Sequence, residues 1–304
     1  MRWTKRGLIY SPPGDRPWAR THALLPTPLI DGGNTVRVFF SSLDDNHFGS
    51  TGWADVEFTP AKGTVTATAQ APLLQAGERG TFDDCGVVPS CALRVHENLF
   101  LYYAGFQRAE RVPYMIFSGV AAGDRNGAVF RRRARTPVLD RSASEPFSRG
   151  APFVLNENGD FRMWYWSCTH WSEGAHGVHY NTVIRHATSR DGLHWRADEH
   201  ICIAPDLENE YAVGRPWVIR ESGLFRMWYS IRSRDEGYTI GYAESGDGIH
   251  WDRRDQDVGI GKSTQGWDSE MICYPAVFDQ GGERYMLYNG NRCGRTGFGY
   301  AVLE

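Results

Sequence analysis

Four charged side chains stand at odd distances ahead of a proline. Asp84 and Glu270 lie five residues before Pro89 and Pro275, Arg149 three before Pro152, and Arg215 one before Pro216. Odd offsets share one face of an extended strand, so an unbulged ladder would send all four to the same side. Carboxylates held together can serve as general base and general acid, because each raises the other's affinity for a proton. Guanidinium forks bind a phosphate or carboxylate through paired hydrogen bonds. The chemistry expected of such a set is acid–base catalysis on a ligand that carries an anionic group. Asp84 and Glu270 are the expected catalytic pair, with Glu210 as a reserve acid.

Further polar residues cluster near these four. Thr21-His22, Phe82-Asp83-Asp84-Cys85, Trp267-Asp268-Ser269-Glu270 and Glu210 to Arg215 precede short apolar runs. A second set follows later runs: His47, Arg108, His170, Trp171, Arg232 and Asn289. Exposed aromatics beside polar groups suit sugars, which offer an apolar face and a hydroxyl edge. The expected substrate-binding set is therefore His22, Asp83, Arg149, Arg215, Asp268, His170, Trp171, Arg232 and Asn289. Trp164 and Trp228 lie inside apolar runs and read as packing.

The elements that must position these residues repeat. Prolines 26, 89, 152, 216 and 275 recur at steps of 63, 63, 64 and 59 residues, each at the same place in a four-run unit. The second runs are VRVFF, LFLYY, FRMWY, FRMWY and RYMLY, and third runs such as YTIGYAES follow. Fourth runs are APLLQ, TPVLD, HICIA and QDVGI. The last unit lacks one, and Gly7-Leu8-Ile9-Tyr10 near the N-terminus has the character to supply it. Alternating polarity punctuated by Gly and Asp describes antiparallel meanders. The expected fold is all-β: one domain over residues 1–304, a five-bladed β-propeller of four-stranded antiparallel blades, its ring closed by the N-terminal strand. In a meander the loop before strand one and the loop between strands two and three share a face, and the charged residues fall on that face. The opposite face holds turns at Asp31-Gly32-Gly33-Asn34, Asp191-Gly192 and Asp247-Gly248, so Asp191, His194, Asp247 and His250 read as structural.

Bulk properties narrow the function. Net charge is −3 with a pI near 6.4, which gives no electrostatic case for nucleic acid or an anionic membrane. Arg131-Arg132-Arg133 reads as a solvated strand end. The N-terminus has no apolar stretch typical of a secretion signal, and no run is long enough to span a bilayer. The six cysteines form no CxxC pair, so free thiols in a reducing cytoplasm are expected. No cofactor is implied; a metal held by His22, Asp84 and Glu270 is an alternative. The expected partner is a small carbohydrate or sugar phosphate.

The unit Phe225–Trp251, its near copy Phe161–Trp195 and the five-fold repeat resemble the five-bladed propeller glycosidase superfamily, which includes glycoside hydrolase families 32, 43, 62, 68 and 130. Stretches such as Thr81–Ser90 and Gly266–Pro275 are similar to uncharacterised bacterial propeller proteins described as glycosylases and often found with surface-polysaccharide genes. The resemblance covers nearly the whole chain. It implies carboxylates at the starts of inner strands and action at a glycosidic linkage, with a separation of about 5 Å giving retention and about 6.5–9.5 Å inversion. The chain departs from it in the first unit, where Thr21-His22 stands in place of an Asp. The alternatives are a glycoside phosphorylase or nucleotide-sugar enzyme, a non-catalytic sugar-binding propeller, and a lyase or isomerase of small-molecule biosynthesis.

Overall fold

The computed structural model describes residues 1–30, 33, 35–59, 62–124, 127–174 and 177–304. Its strands run β1 (Trp3–Tyr10), β2 (Thr21–Leu29), β3 (Thr35–Leu43), β4 (Gly49–Phe58) and β5 (Gly63–Thr68). They continue as β6 (Gly86–Val95), β7 (Asn98–Arg108), β8 (Tyr114–Gly123), β9 (Phe130–Arg132), β10 (Arg149–Glu157), β11 (Asp160–Gly174), β12 (Gly177–Ser189) and β13 (Arg196–Ile203). The remainder are β14 (Glu210–Glu221), β15 (Leu224–Ser233), β16 (Gly237–Ser245), β17 (Asp252–Arg253), β18 (Cys273–Gln280), β19 (Glu283–Asn289) and β20 (Phe298–Leu303).

Antiparallel pairing sorts these strands into consecutive groups: β2 to β5, β6 to β9, β10 to β13, β14 to β17, and β18 to β20 with β1. The N-terminal strand does complete the last group, with Trp3 opposite Leu303 and Lys5 opposite Ala301. Between groups, an inner strand touches the third strand of the preceding group through one parallel bridge: Gly49 with Gly86, Phe117 with Arg149, and Thr182 with Ala212. The first and last groups meet at Asn289, whose amide donates to the Ala23 carbonyl and whose Oδ1 accepts from the Leu25 N–H at 2.9 Å. Among the described residues no helix is long and apolar enough to cross a membrane.

Three of the four expected fourth runs are not the fourth strands. β5, β9 and β17 lie earlier than APLLQ, TPVLD and QDVGI; only HICIA overlaps its strand, β13. Leu74 and Leu139, from the first two of those runs, reach the third strands only as isolated bridges. Both fill the core, so burial of the leucine and not ladder pairing accounts for the apolar signal.

The core between the groups is aromatic. Trp164 and Trp228 are completely buried, as their place inside the runs implied. The Asp191-Gly192 and Asp247-Gly248 sites build the same device. The Oδ1 of Asp191 accepts from the N–H groups of Leu193 and His194, and its Oδ2 accepts from His194 Nδ1 at 2.7 Å. Asp247 does the same with Ile249 and His250. These are Asp-capped loops, not two-residue hairpins, because the carboxylate supplies the turn's missing acceptors. Of the turn expected at 31–34, Asp31, Gly32 and Asn34 lie outside the described residues.

One backbone feature decides where side chains point. The strand register breaks at the repeated proline in all five groups. Proline has no N–H to give the ladder, so a bulge is the way to keep it in a central strand. In four groups the preceding residue takes a left-handed backbone, with φ of 53° at Leu25, 45° at Ala151, 52° at Arg215 and 58° at Tyr274. Such conformations cost non-glycine residues about 1–3 kcal/mol each and persist where the surroundings enforce them. The odd-offset rule therefore fails: Arg215 lies within a bulge, and Asp84 and Glu270 lie ahead of their strands, which start at Gly86 and Cys273.

Candidate functional site

The five pre-proline side chains, Leu25, Val88, Ala151, Arg215 and Tyr274, converge on one cavity of about 460 Å³. One comes from each innermost strand, so the cavity sits where all five groups meet. Its walls come from the ends of second strands and the starts of third strands. Phe106, Arg108 and Arg232 belong to the former; Tyr114, Tyr180 and Tyr238 to the latter; Trp166 on β11 and His47 after β3 complete it. This is the face expected to receive the charged residues. Trp166 stacks on Tyr180 at 5.3 Å and 10°, making a flat aromatic wall.

The cavity's charge is one-sided. Arg215 is 1% exposed, and only its Nη2 has partners, at 3.4 Å from the Pro26 carbonyl and 3.3 Å from Thr27 Oγ1. Its Nε and Nη1 are buried without a partner. Burial pushes its affinity for the proton down to about 9, the response of a cation taken out of water without a counter-charge. Arg232 lies over the rings of Tyr238, Tyr180 and Tyr211 at 4.7, 4.9 and 5.3 Å, with Nε also unpartnered. No Asp or Glu is found among the described residues of the wall. Burial raises the phenols of Tyr238 and Tyr274 well above their ordinary range, so both stay neutral donors; their hydroxyls are 3.4 Å apart.

Of the expected site residues, Arg215 and Arg232 line this cavity. The others do not, and most have a structural task. Asp83 accepts from Arg132 Nε at 2.6 Å and from the Tyr103 hydroxyl at 3.0 Å. Arg132, expected to be a solvated strand end, is therefore the partner of a buried carboxylate. Asp268 accepts from Lys5 Nζ at 2.6 Å and from the Tyr288 hydroxyl at 3.0 Å. Arg149 and Glu145, each 4% exposed, pair at 2.6 Å, and Tyr165 donates to the same carboxylate at 3.0 Å. Glu210 is bound by both terminal nitrogens of Arg253, which also holds Asp255, the acceptor of the Tyr229 hydroxyl.

A latch thus recurs in four groups: the last residue of the second-run motif is a tyrosine, and it bonds a carboxylate that also holds a cation. Asn289, expected to bind ligand, is fully buried and ties the first group to the last. Its side chain is consumed by backbone groups of Ala23, Leu25 and Gly297.

The expected catalytic carboxylates are not brought together at the cavity. Glu270 is exposed, and its backbone N–H donates to Asn291 Oδ1. Asp84 is half-buried; its Oδ2 accepts from the Gly80 N–H at 2.9 Å, and its Oδ1 is buried without a partner. His22 is half-buried off the wall, its Nδ1 at 2.9 Å from Thr21 Oγ1. Burial, with Arg295 and His47 nearby, lowers its pKa to about 4. His170 is exposed, and Trp171 packs edge-on behind Tyr114 and Tyr180. No group of three or more His, Cys, Asp or Glu among the described residues is arranged to hold a metal ion.

The sequence reading missed Tyr114, Trp166, Tyr180, Tyr238 and Tyr274. The signal for Tyr274 was its place: it precedes a repeated proline, as Arg215 does.

No family model matches the chain. A curated relative, the uncharacterized protein Rv1502 of Mycobacterium tuberculosis, is 40% identical over 304 residues, the whole of both chains. Among solved structures, a protein titled glycoside hydrolase superposes with a TM-score of 0.78 at 15% identity, over 99% of this chain and 91% of the other. A thermostable family-43 glycoside hydrolase gives 0.68 at 16% identity, over 97% and 91%. The α-L-arabinofuranosidase PaAbf62A of Podospora anserina, in complex with cellotriose, gives 0.67 at 11% identity, over 99% and 96%. The chain has the fold of the propeller glycosidase superfamily and belongs to the same family as the mycobacterial protein Rv1502.

Proposed function

We propose that the chain is a five-bladed propeller, closed by β1 against β20, whose central cavity takes an anionic saccharide and cleaves it at a glycosidic linkage. The observation that carries this reading is a fully buried guanidinium, Arg215, whose Nε and Nη1 lack a hydrogen-bond partner, beside half-buried Arg232, whose Nε lacks one, in an aromatic cavity whose described wall has no carboxylate. A desolvated cation without a counter-charge is costly, and a ligand anion would relieve that cost. The aromatic wall of Trp166 and Tyr180 suits the apolar face of a sugar ring, and the volume is typical of small-ligand sites. The six free thiols suit a cytoplasmic setting.

The test is calorimetric titration of the purified chain with neutral sugars, uronic acids and sugar phosphates. Acids are expected to bind and neutral counterparts to bind at least tenfold more weakly. Equal affinity for neutral and acidic sugars would sink the anion reading. The acid arms separate a carboxylate ligand from a phosphate, and so separate uronates from the substrates of a phosphorylase or nucleotide-sugar enzyme.

A second reading, a sugar-binding propeller without catalysis, is favoured by the scaffold role of Glu210 and the exposure of Glu270. Asp84, with its unpartnered buried oxygen, is the carboxylate to test against it. If Asp84→Asn abolishes turnover while preserving affinity, the carboxylate mechanism stands after all.

A further inference from the structure

The cavity wall bears on how a linkage could be broken. Glycoside hydrolysis by the usual route needs one carboxyl group to protonate the leaving oxygen and another to activate water or attack the sugar. Among the described wall residues there is none. The wall does offer two cations with unpartnered nitrogens, one imidazole at His47, and four phenols at Tyr114, Tyr180, Tyr238 and Tyr274. Imidazole is the side chain that takes up a proton near neutral pH. Buried phenols are proton donors, and the adjoining hydroxyls of Tyr238 and Tyr274 make a relay beside Arg232.

One cleavage chemistry needs these groups and no carboxylate. In a uronate, the carbon bearing the carboxylate holds a hydrogen that becomes acidic once a cation neutralises that carboxylate. The oxygen of the linkage leaves from the neighbouring carbon.

We propose that the cavity cleaves an oligouronate by β-elimination, with Arg215 and Arg232 on the carboxylate, His47 as base, and the Tyr238–Tyr274 pair as acid. The proposal rests on the anionic-saccharide reading above and names its substrate class and reaction. His47 removes the proton from the carbon next to the carboxylate. The electron pair of that C–H bond becomes the second bond to the neighbouring carbon, whose C–O bond breaks. The departing oxygen takes its proton from Tyr238, replenished through Tyr274. One C–O bond is lost and one C=C bond gained; no water, oxidant or reductant is consumed.

The experiment incubates the full chain with oligouronates and with the same oligosaccharides after reduction of their carboxylates to alcohols. Ultraviolet absorbance of the conjugated double bond and new reducing ends are followed together. Absorbance rising in step with reducing ends, for the uronates alone, is the expected result. His47→Gln and Tyr238→Phe should then slow turnover by about a hundredfold or more, with affinity for the unsaturated product retained in calorimetry.

New reducing ends without absorbance would mean hydrolysis and would overturn the elimination, leaving the anionic-saccharide reading standing. Binding of uronates with neither signal overturns it equally. Failure of every uronate to bind, in the presence of binding by neutral sugars, removes the reading on which it rests.

Discussion

Two sets of charges in this molecule, one in the strand approaches and one in the cavity wall, have opposite fates. In the strand approaches, Asp83, Glu145, Asp268 and Glu210 each find a cation, and in the first three a tyrosine hydroxyl donates to the same carboxylate. In the cavity, Arg215 and Arg232 find no carboxylate among the described residues. The first set is balanced charge, which stabilises only as long as both partners are present. The second is unbalanced charge, costly to the fold and available to a ligand. A buried charge is thus a poor marker of function in this molecule until its partner has been sought.

The largest effect should come from breaking a balanced pair. Glu145→Ala strands Arg149 in a buried site and removes the acceptor of Tyr165 and Ser167. Loss of one partner of a buried pair typically costs about 3–5 kcal/mol, and denaturant unfolding should report it. A loss under about 1 kcal/mol would mean that the latch is decoration.

Arg215→Met should do the reverse. It removes an unpaired cation while keeping most of the volume, so the melting temperature should hold or rise. Affinity for an acidic sugar should fall about tenfold to a hundredfold, from charged hydrogen bonds of about 1.5–3 kcal/mol. If Arg215→Met instead destabilised the chain and left binding intact, the contrast between the two sets would collapse.

The repeat explains how much of this was legible in the sequence. Five units at nearly equal spacing disclosed the first three strands of each group, the face that holds the cavity, and the completion of the last group by the N-terminal run. What misled was parity. Counting back from each proline assumes an unbroken ladder, and each proline creates the bulge that breaks it. Arg215, inside the break, lines the cavity with Leu25, Ala151 and Tyr274. Asp84 and Glu270, five ahead, precede the strands altogether, and neither lines the cavity. Pairing between the two ends of one group was equally hidden, because Asp83 and Arg132 are 49 residues apart and nothing local joins them. Asn289 looked like a rim residue because it follows the second run, yet it is spent on the backbone of another group.

A pH measurement probes the boundary between the two regions, where His22 lies off the cavity wall. His22 is held neutral in the fold down to about 4, against an ordinary value of 6.5. Between those values the unfolded chain binds the proton and the folded chain does not. Stability therefore falls as pH drops through that window and is fully present above it. Replacing His22 with Gln should flatten the dependence there. A pH profile identical in the variant would show that burial does not hold the imidazole neutral.

The smallest expected change separates the two halves of the latch. Tyr103→Phe keeps the ring that stacks on Phe82 at 6.0 Å and removes only the hydroxyl bonded to Asp83. Arg132 still holds that carboxylate at 2.6 Å, so no charge is stranded. The cost should be that of one hydrogen bond, about 0.5–1.5 kcal/mol, and sugar binding should not change. A loss as large as that of Glu145→Ala would place the strength of the latch in the tyrosine and not in the ion pair. The fifth tyrosine position of the repeat, occupied by Phe40 packed on Tyr10 and Phe298, already shows that a group can be built without the hydroxyl.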